Sequence, residues 1–210
     1  VLIDKWYGET EPEETIPLDE LSSNEKTLQV AIDTTRKPFV YMYEGKPVGF
    51  EIEVLYMFCE KYGYNVQIED LSFASGLAGL ASERYDLVCG GLYMTDERKE
   101  SVDFSDVYHT EDLVLVIHKQ SDEKTLADYK NANVGVTTGT YAATITKDVF
   151  PDANIKEFSS VSDLMLALTQ GKIDICMNDV SLYTSAKWEG MSIDRLDEVY
   201  ETSDYGIAFK

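Results

Sequence analysis

One pattern constrains this chain more than any other: short apolar runs alternate with segments of helical period, and the alternation occurs twice. In the first set, Leu28-Gln29-Val30-Ala31-Ile32 reads as a short strand with a polar exit at Asp33-Thr34-Thr35. Tyr43-Glu44-Gly45-Lys46 has the composition of a hairpin-type turn. Phe50, Ile52, Val54, Leu55, Met57 and Phe58 then recur at helical spacing, with Gly63 as the C-cap. Residues 65–70 alternate as a strand, 77–82 form a short helix and 86–89 a buried strand. In the second set, strands are predicted at 133–136, 155–158 and 173–177. Helices are predicted at 140–147 and at 161–169, the latter ended by Gly171. Strand–helix–strand order calls for parallel pairing, because a parallel partner is reached only by a crossover. The predicted class is α/β, in two units joined by the apolar run at 112–119. A last strand at 205–209 closes the chain. The two units share a pattern but no sequence repeat.

Composition narrows the function. The chain is 44% hydrophobic and 11% aromatic over 210 residues, enough for a sizeable core. With 18 Lys+Arg against 39 Asp+Glu, its charge of −21 opposes binding to nucleic acid or to anionic membrane surfaces. No apolar run approaches the ~18 residues of a membrane-spanning helix. Val1–Pro12 shows no signal peptide, which leaves a cytosolic protein or one whose targeting signal lies upstream. Cys59, Cys89 and Cys176 are widely spaced and odd in number, so buried free thiols are expected, not a disulfide framework. Residues 8–26, acidic and with Pro12 and Pro17, read as a linker.

A series of landmarks is recognisable. Pro38-Phe39 precedes Gly49-Phe50-Glu51-Ile52-Glu53. Thr95-Asp96-Glu97-Arg98-Lys99, Asp103-Phe104-Ser105-Asp106 and Val136-Thr137-Thr138-Gly139-Thr140 follow. Gly171-Lys172-Ile173-Asp174, Asn178-Asp179 and Tyr205-Gly206-Ile207-Ala208-Phe209 complete the set. In order and spacing these resemble the family-3 extracellular solute-binding proteins, the amino-acid receptors of bacterial ABC uptake systems. The resemblance runs from about Thr27 to Lys210. It implies the type II periplasmic-binding-protein-like fold, two α/β lobes on a two-strand hinge. Lobe one would be 27–108 plus 205–210, lobe two 113–202, and 1–26 a linker with the tail of a preceding domain. The family continues past its Tyr-Gly-Ile-Ala-Phe strand into a final helix, which would lie beyond Lys210. Ile3-Asp4-Lys5-Trp6-Tyr7-Gly8 resembles the end of that same helix. This fits one repeat of a tandem protein. Trp6 could otherwise be an apolar residue of a loose arm, or part of a segment filling the groove of the absent helix in this or a neighbouring chain.

The resemblance also implies a site. An α-amino acid offers one carboxylate and one ammonium. Arg98 would take the carboxylate through its planar fork. Thr138-Gly139-Thr140 would present backbone N–H groups from a strand-to-helix turn. Asp179 would take the ammonium, or else N-cap the helix after it. Asp33 stands equally as a ligand residue or a turn residue. Phe73 and Phe39 could floor the site or belong to the core. Gly91, with Gly90, would allow close backbone approach. Two positions depart from the family. Arg36 stands where an aromatic residue is usual, and Tyr93 where Ser or Thr is usual. An inward Arg36 would suit a ligand with a second anionic group, but an exposed Arg is the ordinary expectation. Tyr93 would narrow the pocket while keeping a hydroxyl.

The expected function is binding of a small polar solute, an amino acid first, for ABC-type uptake through a permease. The protein would be extracellular or periplasmic and tethered through flanking sequence. A monomer is expected, a swapped or tail-in-groove dimer being the alternative. The same chemistry would serve the sensory module of a receptor or a permease fusion. A repeat that binds nothing also stands, given Arg36 and Tyr93. An enzyme on the same fold, such as a dehydratase, is the third class. Against it, the sequence has no nucleophile elbow, His-Glu-x-x-His, Cys-x-x-Cys or phosphate loop. His109 and His118 are its only histidines. No cofactor, metal or catalytic residue is suggested.

Overall fold

The computed structural model describes Trp6, 26–119 and 125–210. The linker and tail expected before Lys26 lie outside the described residues, Trp6 excepted. The chain divides into two compact units. One holds the described residues up to His109 together with Asp204–Lys210, and the other holds those within Thr110–Ser203.

The first unit is built on β1 (Lys26–Ile32), which pairs in parallel with β5 (Tyr64–Asp70) on one side and β6 (Leu87–Cys89) on the other. β13 (Ala208–Phe209) adds antiparallel to β6, and β7 (Asp103–Phe104) adds antiparallel to β13. The order is β5-β1-β6-β13-β7. α1 (Phe50–Tyr62) is the first crossover and ends on Gly63, whose left-handed backbone lets its N–H reach the carbonyl of Cys59. α2 (Phe73–Ala81) is the second, started by the Ser72 hydroxyl accepting from the Ser75 N–H. It begins four residues before the predicted Leu77. Gly76 and Gly79 blur its apolar period, and both pack closely, Gly76 on Ala31 and Val88, Gly79 on Tyr85. Ala31, Phe73, Leu80, Tyr85, Val88, Leu92, Val102 and Ala208 form a core between sheet and helix. A small antiparallel sheet, β2 (Thr35–Arg36), β3 (Val40–Tyr43) and β4 (Lys46–Val48), follows β1. Its β3–β4 turn at Glu44-Gly45 has positive φ at both residues, the left-handed pair a tight hairpin requires. Trp6 is fully buried, its ring 6.1 Å edge-on from that of Tyr41.

The second unit repeats the plan. β9 (Asn133–Thr137) pairs in parallel with β10 (Asn154–Phe158) and β11 (Ile175–Asp179), and β8 (His109–His118) runs antiparallel beside β11. β12 (Ile193–Tyr205) completes the order β10-β9-β11-β8-β12. α3 is the short helix Asp96–Lys99 of the first unit. The second unit contributes α4 (Tyr141–Val149), α5 (Val161–Thr169) and α6 (Val180–Trp188). Its core joins Val114 and Val116 of β8, Leu164 and Leu168 of α5, Cys176 of β11 and Leu182 of α6. The three cysteines are free and buried, as expected.

Candidate functional site

Each unit has the same internal logic. The first strand of its parallel set, β1 or β9, lies between the next two of that set, so the strand order reverses there. In an open α/β sheet the crevice beyond the carboxyl ends at such a reversal is where ligands bind. In the first unit those ends are Asp33 after β1 and Gly90-Gly91 after β6. In the second they are Thr138 after β9 and Asp179 at the end of β11.

In the first unit the structure draws most of the predicted residues together. Arg36 is buried, contrary to the expectation for an Arg. Its Nε donates to the Gly90 carbonyl at 2.7 Å and its Nη2 to the Gly91 carbonyl at 3.3 Å. Its guanidinium carbon is 4.9 Å from the centre of the Phe73 ring. Burial is tolerated because the charge meets carbonyl oxygens and an aromatic face. The cation fixes the glycine turn, so its presence does not call for a second anionic group on a ligand. Tyr93 is packed inward, its ring 4.5 Å edge-on from Tyr205. Its carbonyl accepts from Arg98 Nη1 at 2.8 Å and so orients that half-buried guanidinium. The Thr95 hydroxyl accepts from the Arg98 N–H at 3.3 Å and starts α3. Asp33 is buried, and its Oδ1 accepts both the N–H and the hydroxyl of Thr35, at 3.0 and 2.6 Å. That is a local turn. Phe39 is fully buried against Tyr205, with ring centres 5.1 Å apart.

One residue was missed as a site residue. Glu51, in the first turn of α1, is buried and accepts the N–H groups of both Gly90 and Gly91 and the hydroxyl of Tyr108. Burial pushes its carboxyl up to about 7, while those two N–H groups and Arg36 pull it back down. The signal available in the sequence was an acidic residue between Phe50 and Ile52 on the apolar face of a predicted helix.

In the second unit the expected N–H cradle is altered. The Thr138 N–H donates to the Phe158 carbonyl at 2.9 Å and the Thr140 N–H to the Thr137 carbonyl at 3.3 Å, so both serve the fold. The Thr140 hydroxyl donates to the Thr137 carbonyl and accepts from the Ala143 N–H, capping α4. Asp179 is buried at the N-cap position of α6, yet its side chain makes no capping hydrogen bond there. The capping explanation for its carboxylate therefore fails. His109 packs near Phe39 and Tyr205 at 6.1 and 5.8 Å between ring centres.

Two α/β lobes of this topology, with polar residues at both strand-order reversals, define a type II periplasmic-binding-protein-like fold. Solved structures agree. An ancestral arginine-binding protein bound to arginine superposes with a TM-score of 0.82 at 30% identity, covering 90% of this chain and 86% of that one. Residues 28–139 match the bacterial extracellular solute-binding proteins, family 3, and the chain belongs to that family. Arginine-binding extracellular protein ArtP of Bacillus subtilis (strain 168) is 34% identical over 154 residues, 72% of this chain and 60% of its own length. ABC transporter arginine-binding protein 1 of Escherichia coli (strain K12) is 26% identical over 162 residues, 77% of this chain and 66% of its own. The chain thus spans somewhat less than two thirds of these relatives. Both are binding proteins by name. No described helix is long and apolar enough to cross a membrane.

Proposed function

We propose that this chain binds an amino acid for ABC-type uptake, outside the cytoplasm, and delivers it to a membrane permease. The observation that carries the reading is Arg98. It is a fork-shaped cation of the first lobe, oriented by the Tyr93 carbonyl just beyond the glycine turn. There it would take the α-carboxylate. Asp179, buried at the corresponding strand end of the second lobe, would take the α-ammonium. Thr140 and the exposed Thr138 would complete that side. L-Arginine is the first candidate, because two of the relatives are named for binding it.

The test is calorimetry against a panel of L-amino acids, with Arg98→Ala and Asp179→Asn beside the wild type. Arg98→Ala should lose about 2–5 kcal/mol of binding, because a desolvated ligand carboxylate is left without its partner. Unchanged affinity in Arg98→Ala would remove that residue from the site. A wild type that binds no amino acid would overturn the reading.

A further inference from the structure

Within the first unit, one buried carboxylate takes three donors from two separate segments. Glu51 on α1 accepts both N–H groups of the Gly90-Gly91 turn after β6 and the hydroxyl of Tyr108, one residue before β8 begins. The carbonyls of those same two glycines accept from Arg36 of β2. The turn is therefore gripped on both edges, by an anion on its N–H groups and a cation on its carbonyls. Arg98, which the binding reading places on the ligand carboxylate, hangs from the Tyr93 carbonyl two residues further on. Tyr93 in turn is bridged to Tyr205. Any shift of the glycine turn must move Tyr93 and reorient Arg98.

We infer that Glu51 is the positioning residue of this lobe's binding surface, holding the glycine turn, and through it Arg98, in register with the Tyr108 segment, and doing so in its ionised form. The inference rests on the binding reading above. An ionised carboxylate accepts at both oxygens, and all three of its donors can be served at once. A protonated carboxyl carries a hydrogen of its own on one oxygen, so one donor loses its place. Among the described residues, three titratable or charged groups face Glu51. Arg36 is cationic throughout, Tyr108 meets it as a hydroxyl donor, and Cys89 beside it is a buried thiol raised well above its ordinary range. Burial raises the Glu51 carboxyl to about 7, against the pull of the two glycine N–H groups and Arg36.

The experiment combines amide hydrogen exchange on the ligand-free protein with calorimetry using L-arginine, L-glutamine, L-histidine and L-cystine from pH 5.5 to 8.5. Glu51→Gln keeps the shape but replaces one acceptor oxygen by an amide donor. It should lower the exchange protection of Gly90 and Gly91 and weaken the best ligand about tenfold to a hundredfold at pH 8. Wild-type affinity should strengthen as pH rises through 7, and Glu51→Gln should be flat. Tyr108→Phe removes one donor and leaves the carboxylate in place, so it reports even if Glu51→Gln folds poorly. It should bind more weakly than wild type, with the pH midpoint moved upward. Wild-type-like protection together with a wild-type pH profile in Glu51→Gln would overturn the inference. So would an unshifted midpoint in Tyr108→Phe. If Glu51→Gln loses protection while the wild type binds none of the four probes, the binding reading has failed and the hold on the turn is a property of the fold alone.

Discussion

Gly91 offers the sharpest test of how tightly the first lobe is built. Its backbone has φ +74°, the left-handed region, and a Cβ placed on it would lie 2.9 Å from Phe39 Cδ2 and 3.1 Å from Tyr205 Cε2. Both rings are fully buried and cannot swing into solvent. Gly91→Ala therefore carries two costs. The left-handed backbone costs about 1–2 kcal/mol for any L side chain. The added methyl overpacks a closed site, at about 1–3 kcal/mol. Gly45 supplies the control within the same lobe. It has φ +79° and nothing within 4 Å of its would-be Cβ, so Gly45→Ala carries the backbone cost alone. Thermal unfolding followed by circular dichroism should place Gly91→Ala below Gly45→Ala by about 1–3 kcal/mol. At about 2–4 °C per kcal/mol for a chain of this size, that is a gap of roughly 2–12 °C. Equal midpoints for the two variants would refute the argument, because they would show that the rings around Gly91 yield without cost.

Two further outcomes follow from buried titratable groups. The Glu51 carboxyl is raised from 4.5 to about 7 in the folded protein, so the native state holds this proton more tightly than the unfolded chain does. Its contribution is fully present below about pH 4.5 and is lost as pH rises through 7, a change of about 3 kcal/mol. Urea unfolding of wild type and Glu51→Gln between pH 4 and 8 should show the variant gaining on wild type by about that amount. Parallel curves would contradict it. The cysteines should be nearly inert in the native state, since all three are buried, with Cys59 pushed up to about 11 and Cys176 to about 12. Native alkylation should label none of them at a rate near that of the urea-unfolded chain, and rapid labelling of any one would show that its pocket is open.

The repeated parallel α/β plan was legible because each crossover helix carries its own local punctuation. Gly63 in the left-handed conformation ends α1, and Ser160 caps α5 where the apolar period begins. β12 was not legible. Its 13 residues include Asp194, Asp197, Glu198, Glu201 and Asp204, and only Ile193, Leu196 and Tyr205 are buried. A charged strand at a sheet edge has no alternating apolar face, and the charge itself protects the edge from pairing with other chains. Its strand state is set by β8 beside it, for example through the Thr202 hydroxyl donating to Asp112 at 2.6 Å. That is tertiary information.

The site divides along the same line. Arg98 and the glycine pair lie in short motifs whose spacing carries their meaning, so the sequence exposes them. Arg36 and Glu51 are meaningful only together. The carbonyls that hold Arg36 lie 54 and 55 residues along the chain, and the N–H groups that Glu51 holds lie 39 and 40 residues away. Composition argues for exposure of both, since charged side chains are seldom buried. Burying either alone would leave a charge without compensation, whereas burying both around one peptide turn lets each moderate the other's desolvation. This makes the departure at Arg36 intelligible. Where an aromatic residue would only pack on Phe73, an arginine packs on the same ring and also ties down the Gly90 and Gly91 carbonyls. On the binding reading proposed above, the change would stiffen the lobe's binding edge and leave the ligand's α-carboxylate to Arg98.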